Sequence, residues 1–233
     1  TVILWPFIFS HLGLYTLLLG AVGYIISALS LIGLKVVGGS KDVSISTGYK
    51  LFKKNSAAKG MILGIGLDQG AVFIVLNFMA LIVKLFHGTD LDLALGTEGY
   101  TLSTIIGSYI MTKMHNPKSI LIANVLLKFS IFPVFFLHNP LIVVYQGSAI
   151  AFADSIITNL YYVALRNASG KELLGSIMGF DELISNTSRT SMMFLSGFLY
   201  SLSILYVFGL GMILMTASTV MYFKYKELME LKL

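Results

Sequence analysis

Met61-Ile-Leu-Gly-Ile-Gly-Leu-Asp68-Gln-Gly-Ala-Val-Phe-Ile-Val-Leu-Asn77-Phe-Met-Ala-Leu-Ile-Val-Lys84-Leu-Phe86 runs for 26 residues with only two ionisable side chains, Asp68 and Lys84. A helix of that length rises ~39 Å, enough to cross a hydrocarbon core of ~30 Å. The stretch reads as a membrane-spanning helix. Similar apolar runs cover residues 6–34, 99–111, 119–138, 141–165, 174–202 and 204–223. Run 99–111 is short and extends back toward Leu93. Seven spans are expected, and the chain reads as an all-α polytopic membrane protein.

Composition agrees. Hydrophobic residues make up 56% of the 233 positions and charged residues 12%, against ~25% in a soluble domain. Mean hydropathy is +0.85. That balance excludes a disordered chain, a nucleic-acid-binding module and an ordinary soluble domain. Cysteine is absent, which excludes disulfides and cysteine metal sites.

The net charge of +5 matters less than where the charges lie. Lys35, Lys41, Lys50, Lys53, Lys54 and Lys59 fall between runs one and two. Lys113 and Lys118 follow run three, Arg166 and Lys171 follow run five, and Lys224, Lys226 and Lys232 follow run seven. The opposite connections carry Asp90, Asp92 and Glu98, with only Lys84 nearby. The positive-inside rule then sets the N-terminus of this chain outside and the basic loops and C-terminus in the cytoplasm. The expected localisation is an integral plasma or cytoplasmic membrane. The chain opens on Thr1 without a basic flank or a small-residue cleavage site, so a fragment or processed chain is expected rather than a signal peptide.

The expected organisation is a helix over 1–37, a basic Gly- and Ser-containing cytoplasmic loop over 38–60, a six-helix block over 61–225 and a cytoplasmic tail over 226–233. One helix, a long basic loop and six more helices resembles the second half of a major facilitator superfamily transporter with its preceding helix six. Trp5-Pro6-Phe7 resembles that family's turn into helix six. Gly107 with Lys113 and Lys118 resembles its Gly-Asp-Arg cytoplasmic motif, although Met111 or Thr112 stands where the acid belongs. Arg166-Asn-Ala-Ser-Gly170-Lys-Glu-Leu-Leu-Gly175, followed by Gly179 and Gly197, resembles the entry into helix eleven. The glycines are expected to let helix backbones approach closely. The resemblance implies two inverted three-helix repeats, a missing N-terminal six-helix half, and transport of a small-molecule substrate by alternating access.

Six ionisable residues fall within the runs: Asp68, Lys128, Asp154, Asp181, Glu182 and Arg189. A charge at the bilayer centre costs about 2.5–3.5 kcal/mol, so these groups are expected to face the bundle interior, a cavity or one another. Counted along each helix, Asp68, Lys128, Asp154 and Asp181 lie ~10–16 Å from the cytoplasmic end, and Arg189 ~24 Å. Four acids stand against two bases, and an unpaired buried carboxylate favours holding a proton. Proton coupling through Asp68 or Asp154 is therefore one expectation. A purely structural role is the other, with Lys128 clamping Asp154 or Asp181.

Helical spacing sorts the polar groups. Gln69, Phe73 and Asn77 share a face beside Asp68. Asp154, Thr158 and Tyr162 share another, with Gln146 and Ile150 above. Gly175, Gly179, Glu182, Asn186, Arg189 and Met193 form a stripe, in which Glu182, Asn186 and Arg189 suit an intrahelical network. By the resemblance, the helices of runs two and five line the central cavity. This makes Asp68, Gln69, Asn77, Gln146 and Asp154 the substrate or proton candidates and puts Lys128 on a peripheral helix. Tyr161 and Tyr162 fit an interfacial belt as well as a substrate contact.

His11, His87, His115 and His138 lie near span ends without ligand spacing. The zinc-protease motif, the nucleophile elbow and the P-loop are absent. Gly64, Gly66 and Gly70 have the wrong spacing for a dinucleotide loop and read as close helix packing. No enzyme activity, cofactor or nucleic-acid partner is expected; the lipid bilayer is. The alternative to a carrier is a complete seven-span scaffold or complex subunit whose buried charges are structural.

Overall fold

The computed structural model describes residues 44–233. The first apolar run and the domain expected over 1–37 lie outside the described residues. Helix α1 (Ile45–Lys54) starts where the Ser44 side chain accepts the Thr47 N–H at 3.1 Å, and it ends with Lys53 and Lys54 beside its exposed carbonyls. Asn55 both ends α1 and caps α2 (Ser56–Leu85), accepting the Ala58 N–H at 2.9 Å. Residues 45–60, expected inside a loop, are therefore helical apart from Asn55. Two caps and a packed face outweigh the Gly and Ser content. Gly48 lies against the Ser176 backbone, and the Tyr49 and Phe52 rings sit 5.6 and 5.2 Å from that of Phe180.

Helix α3 (Asp90–Met111) begins well before run 99–111. The Asp92 carboxylate accepts both the Thr89 N–H at 2.6 Å and the Thr89 hydroxyl at 2.9 Å, which anchors the first turn. α4 (Pro117–Ser130) is capped by Asn116 and stops before Pro133, which has no N–H to continue the ladder; a 3₁₀ turn follows at Pro133–Leu137. α5 (Ile142–Ser169) ends at Gly170, whose φ of 68° favours glycine. α6 (Leu174–Leu202) and α7 (Ile204–Lys224) are separated by Ser203 alone, which is extended and caps α7 through the Leu205 N–H. α8 (Lys226–Met229) folds back, and Leu228 is buried in a cluster with Met61, Leu121 and Tyr222.

Pairwise contacts define the helix directions. Gly66 and Gly70 on α2 meet Ile184 and Ser188 on α6, so these two run parallel. Gly96, Gly99 and Gly107 on α3 meet Val143, Ser148 and Ser155 on α5, again in parallel. Gly60 and Gly64 meet Tyr225 and Tyr222, so α2 and α7 are antiparallel. Gln146 and Asp154 of α5 meet Ile131 and Lys128 at the end of α4, which makes those two antiparallel. The six long helices thus alternate in direction along the chain. Lys113, Lys118, Lys171 and Lys224 gather at one end, and Asp90 and Asp92 at the other.

Glycine is required at several of these crossings. A Cβ at Gly64 would overlap the Tyr222 ring, and one at Gly70 would come within 2.5 Å of Ser188 Oγ. Gly179 and Gly197, expected to serve the same purpose, face open space, so no neighbouring backbone among the described residues accounts for them. Their helix presents that side outward. α2 is the hub, packed against α5, α6 and α7. Its apolar partners include Ile131, Phe132, Ile150, Phe208 and Met215.

All regular structure among the described residues is helical. Among these residues four segments are long and apolar enough to cross a membrane: Ser56–Leu85, Pro117–Leu137, Ile142–Ser169 and Ile204–Lys224. α3 and α6 are long enough, at 22 and 29 residues, but carry polar side chains along exposed faces.

Candidate functional site

The charged residues converge where α2, α4, α5 and α6 meet. Lys128, 1% exposed, extends from the last turn of α4 between two carboxylates. Its Nζ donates to Asp68 Oδ2 at 2.9 Å and pairs with Asp154 Oδ1 at 2.7 Å. One cation thereby ties three helices together. Tyr222 of α7 donates to the same Asp68 Oδ2 at 2.6 Å and brings in a fourth. Asp68 is fully buried, whereas Asp154 is 30% exposed. Coulomb attraction at these distances is strong in a medium that excludes water, and it opposes the cost of burying the ions.

The local chain explains this geometry. Gly64 lies one turn before Asp68 on α2, and Ser218 lies one turn before Tyr222 on α7. The Tyr222 ring fills the space beside Gly64, and the Ser218 hydroxyl donates to the Gly64 carbonyl at 2.8 Å. The two helices approach at the glycine, which carries the Tyr222 hydroxyl to Asp68.

A second cluster is built on α6. Asp181 Oδ2 accepts the Tyr161 hydroxyl of α5 at 2.8 Å. Arg189 donates to Gln69 Oε1 on α2 through Nη2 at 2.9 Å and Nε at 3.3 Å. Its Nη1 reaches Asn186 Oδ1 at 3.2 Å and lies 3.7 Å from Glu182 Oε1, while Asn186 donates to Glu182 at 2.9 Å. Between the clusters lies a cavity of about 320 Å³. Lys128, Asp154, Tyr161, Asp181, Ser185 and Arg189 line it, together with Gln69, Thr158, Tyr100 and Glu182.

Of the sequence candidates, Asp154 and Gln69 line this cavity, and Asp68 stands directly behind Lys128. Asn77 and Gln146 do not. Asn77 is exposed on α2 and Gln146 is buried, donating to the Ile131 carbonyl at 2.8 Å. Lys128, expected on a peripheral helix, is central to the arrangement. Its clamp joins Asp154 to Asp68 and leaves Asp181 to Tyr161. Thr158 lies in the lining, whereas Tyr162, on the same expected face, is 46% exposed and outside it.

Sequence reasoning missed Tyr222, Tyr100 and Ser185. Tyr222 was detectable through the four-residue spacings Gly64–Asp68 and Ser218–Tyr222. Ser185 follows Asp181 by one turn, so both fall on a buried face beside the exposed Glu182–Asn186 stripe. Tyr100 carries no sequence signal. Among the described residues no cluster of metal-ligating side chains occurs. Compared with known proteins, the chain matches no family model, no curated protein and no solved structure.

Proposed function

We propose that the chain is part of a secondary carrier that moves a small solute across a membrane by alternating access. In this reading it comprises seven spans, the last six forming a half of the facilitator-superfamily kind with two inverted three-helix repeats. The basic end of the bundle faces the cytoplasm. The observation that carries the reading is the cavity itself. It sets Lys128, Asp154, Asp181 and Arg189 around one space within a bundle of apolar helices. Ionisable groups held at membrane depth mark solute or ion pathways. The alternating helix directions and the basic end support the reading further.

Coupling to protons would run through Asp68 or Asp154: a proton on either neutralises it, frees it from Lys128 and leaves Lys128 paired with the other. The polar faces of α3 and α6 would meet the remaining helices of the carrier.

The absence of cysteine provides a test that needs no known solute. Thr158→Cys places a thiol in the cavity of the full-length protein, any cysteine outside these 233 residues being replaced by serine. A membrane-impermeant maleimide should label it from either side of oriented vesicles, because the population visits both open states. Labelling from one side only, or from neither, would overturn the carrier reading in favour of a scaffold whose ion pairs are structural.

A further inference from the structure

The cavity lining carries an unbalanced charge, and the imbalance selects a class of solute. Lys128 is matched by two carboxylates, Asp68 and Asp154, so that set sums to −1. Across the cavity Asp181 and Glu182 stand against Arg189, and that set also sums to −1. With every group ionised, the residues that line the cavity, Asp154, Asp181 and Glu182 against Lys128 and Arg189, sum to −1, and Asp68 behind Lys128 adds a second negative charge.

The unmatched charge has a defined place. Tyr161 is neutral, so its hydrogen bond to Asp181 Oδ2 orients the carboxylate without cancelling it. Asp181 is 4% exposed and its Oδ1 has no hydrogen-bond partner among the described residues. Ser185 is 2% exposed, one turn further along α6, and its Oγ has none either. Both side chains line the cavity. Buried polar atoms are nearly always hydrogen-bonded, so these two atoms, on residues one helical turn apart whose side chains line the cavity, call for a donor, and a small shift of either side chain opens it to one in the cavity.

We propose, building on the carrier reading, that the solute is a small organic cation bearing a primary ammonium group, which donates to Asp181 Oδ1 and Ser185 Oγ. Three N–H donors and one positive charge satisfy both acceptors and cancel one unit of the excess. An anion would meet Lys128 only by displacing one of its two carboxylates. It would also bring negative charge against Asp181. The part of the cavity formed by this chain, about 320 Å³, has room for a short aliphatic amine.

The test uses the full-length protein in detergent and three probes of matched size: n-butylammonium, butyrate and n-butanol. Butylammonium should raise the melting temperature in a concentration-dependent way, and the other two should not. Ser185→Ala, which removes one acceptor and leaves the helix unchanged, should weaken butylammonium binding about tenfold or more, as expected for a hydrogen bond to a charged group. Asp181→Asn should abolish the shift. Stabilisation by butyrate, or equal stabilisation by all three probes, overturns the cation assignment, and so does a shift that survives Asp181→Asn. None of these outcomes touches the carrier reading, which stands or falls on two-sided labelling at Thr158→Cys.

Discussion

Tyr222 donates its hydroxyl to Asp68 Oδ2, the same oxygen that receives Lys128, at 2.6 and 2.9 Å respectively. A single carboxylate oxygen therefore gathers α2, α4 and α7, while Asp68 Oδ1 has no partner among the described residues. Removing the hydroxyl with Tyr222→Phe keeps the ring against Gly64 and deletes only this bond. The expected loss is about 1.5–3 kcal/mol, the range for a hydrogen bond to a charged group. Reversible unfolding in mixed micelles measures it, and a loss below half a kcal/mol would show the bond to be dispensable.

Lys128 holds two buried or half-buried carboxylates, so its removal strands both. Lys128→Met should destabilise by about 3–5 kcal/mol, as when one partner of a buried ion pair is deleted. The triple variant Lys128→Met with Asp68→Asn and Asp154→Asn leaves no uncompensated charge and should recover most of that loss. If the triple variant is no more stable than the single one, the cost lies in packing rather than charge.

Gly64 and Tyr222 occupy one space, so their substitutions should be coupled. Gly64→Ala pushes a methyl into the ring and should cost about 1–3 kcal/mol, as overpacking does. In a Tyr222→Ala background the same methyl meets an empty space and should cost close to nothing. A double-mutant cycle with no interaction energy would refute the proposed contact.

The Asp92 carboxyl lies outside the apolar run of α3 and is held below its ordinary value, first by the Thr89 backbone N–H and then by the Thr89 hydroxyl. A depressed acid contributes stability that is present above its unfolded value, about 3.9, and is lost as pH falls through the folded one. The first turn of α3 should therefore fray below about pH 4. Amide exchange at residues 90–94 should rise there in the parent, and Asp92→Asn should show the faster exchange already at neutral pH.

Proton coupling makes a separate demand. With Asp68→Asn and Asp154→Asn together, Lys128 loses both counter-ions, and no carboxyl remains to exchange a proton for it. The carrier should then lose gradient-driven accumulation of its solute while still exchanging it across the membrane. Accumulation at the parent level by that double variant would eliminate both acids as the coupling groups.

Much of the fold was legible because long apolar helices announce themselves locally. The runs 174–202 and 204–223 coincide almost residue for residue with α6 and α7, since the break at Ser203 is a cap written into the chain. α1 was not legible. Its ten residues contain Gly and Ser, and their helicity depends on seating Gly48 against α6, a contact 128 residues away in sequence. The start of α3 was legible only back to Leu93, because its first turn is polar and the Thr89–Asp92 cap is a signal of type and spacing, not of hydropathy.

The candidate site divides in the same way. Composition and spacing determined that Asp68, Lys128, Asp154, Asp181 and Arg189 could not face lipid, because ions are costly in hydrocarbon. They also put Asp68, Lys128, Asp154 and Asp181 at a common depth, because helical rise is constant. Which ion meets which was decided only by tertiary structure. The rotation and approach of each helix are set by side chains on its neighbours, such as Tyr222 seated beside Gly64. That contact and the crossing of α2 with α4 and α5 bring Asp68 and Asp154 onto Lys128, leave Asp181 to Tyr161, and turn Asn77 and Gln146 away from the cavity. A helix fixes its own periodicity, but the partner it faces depends on packing that no single stretch contains.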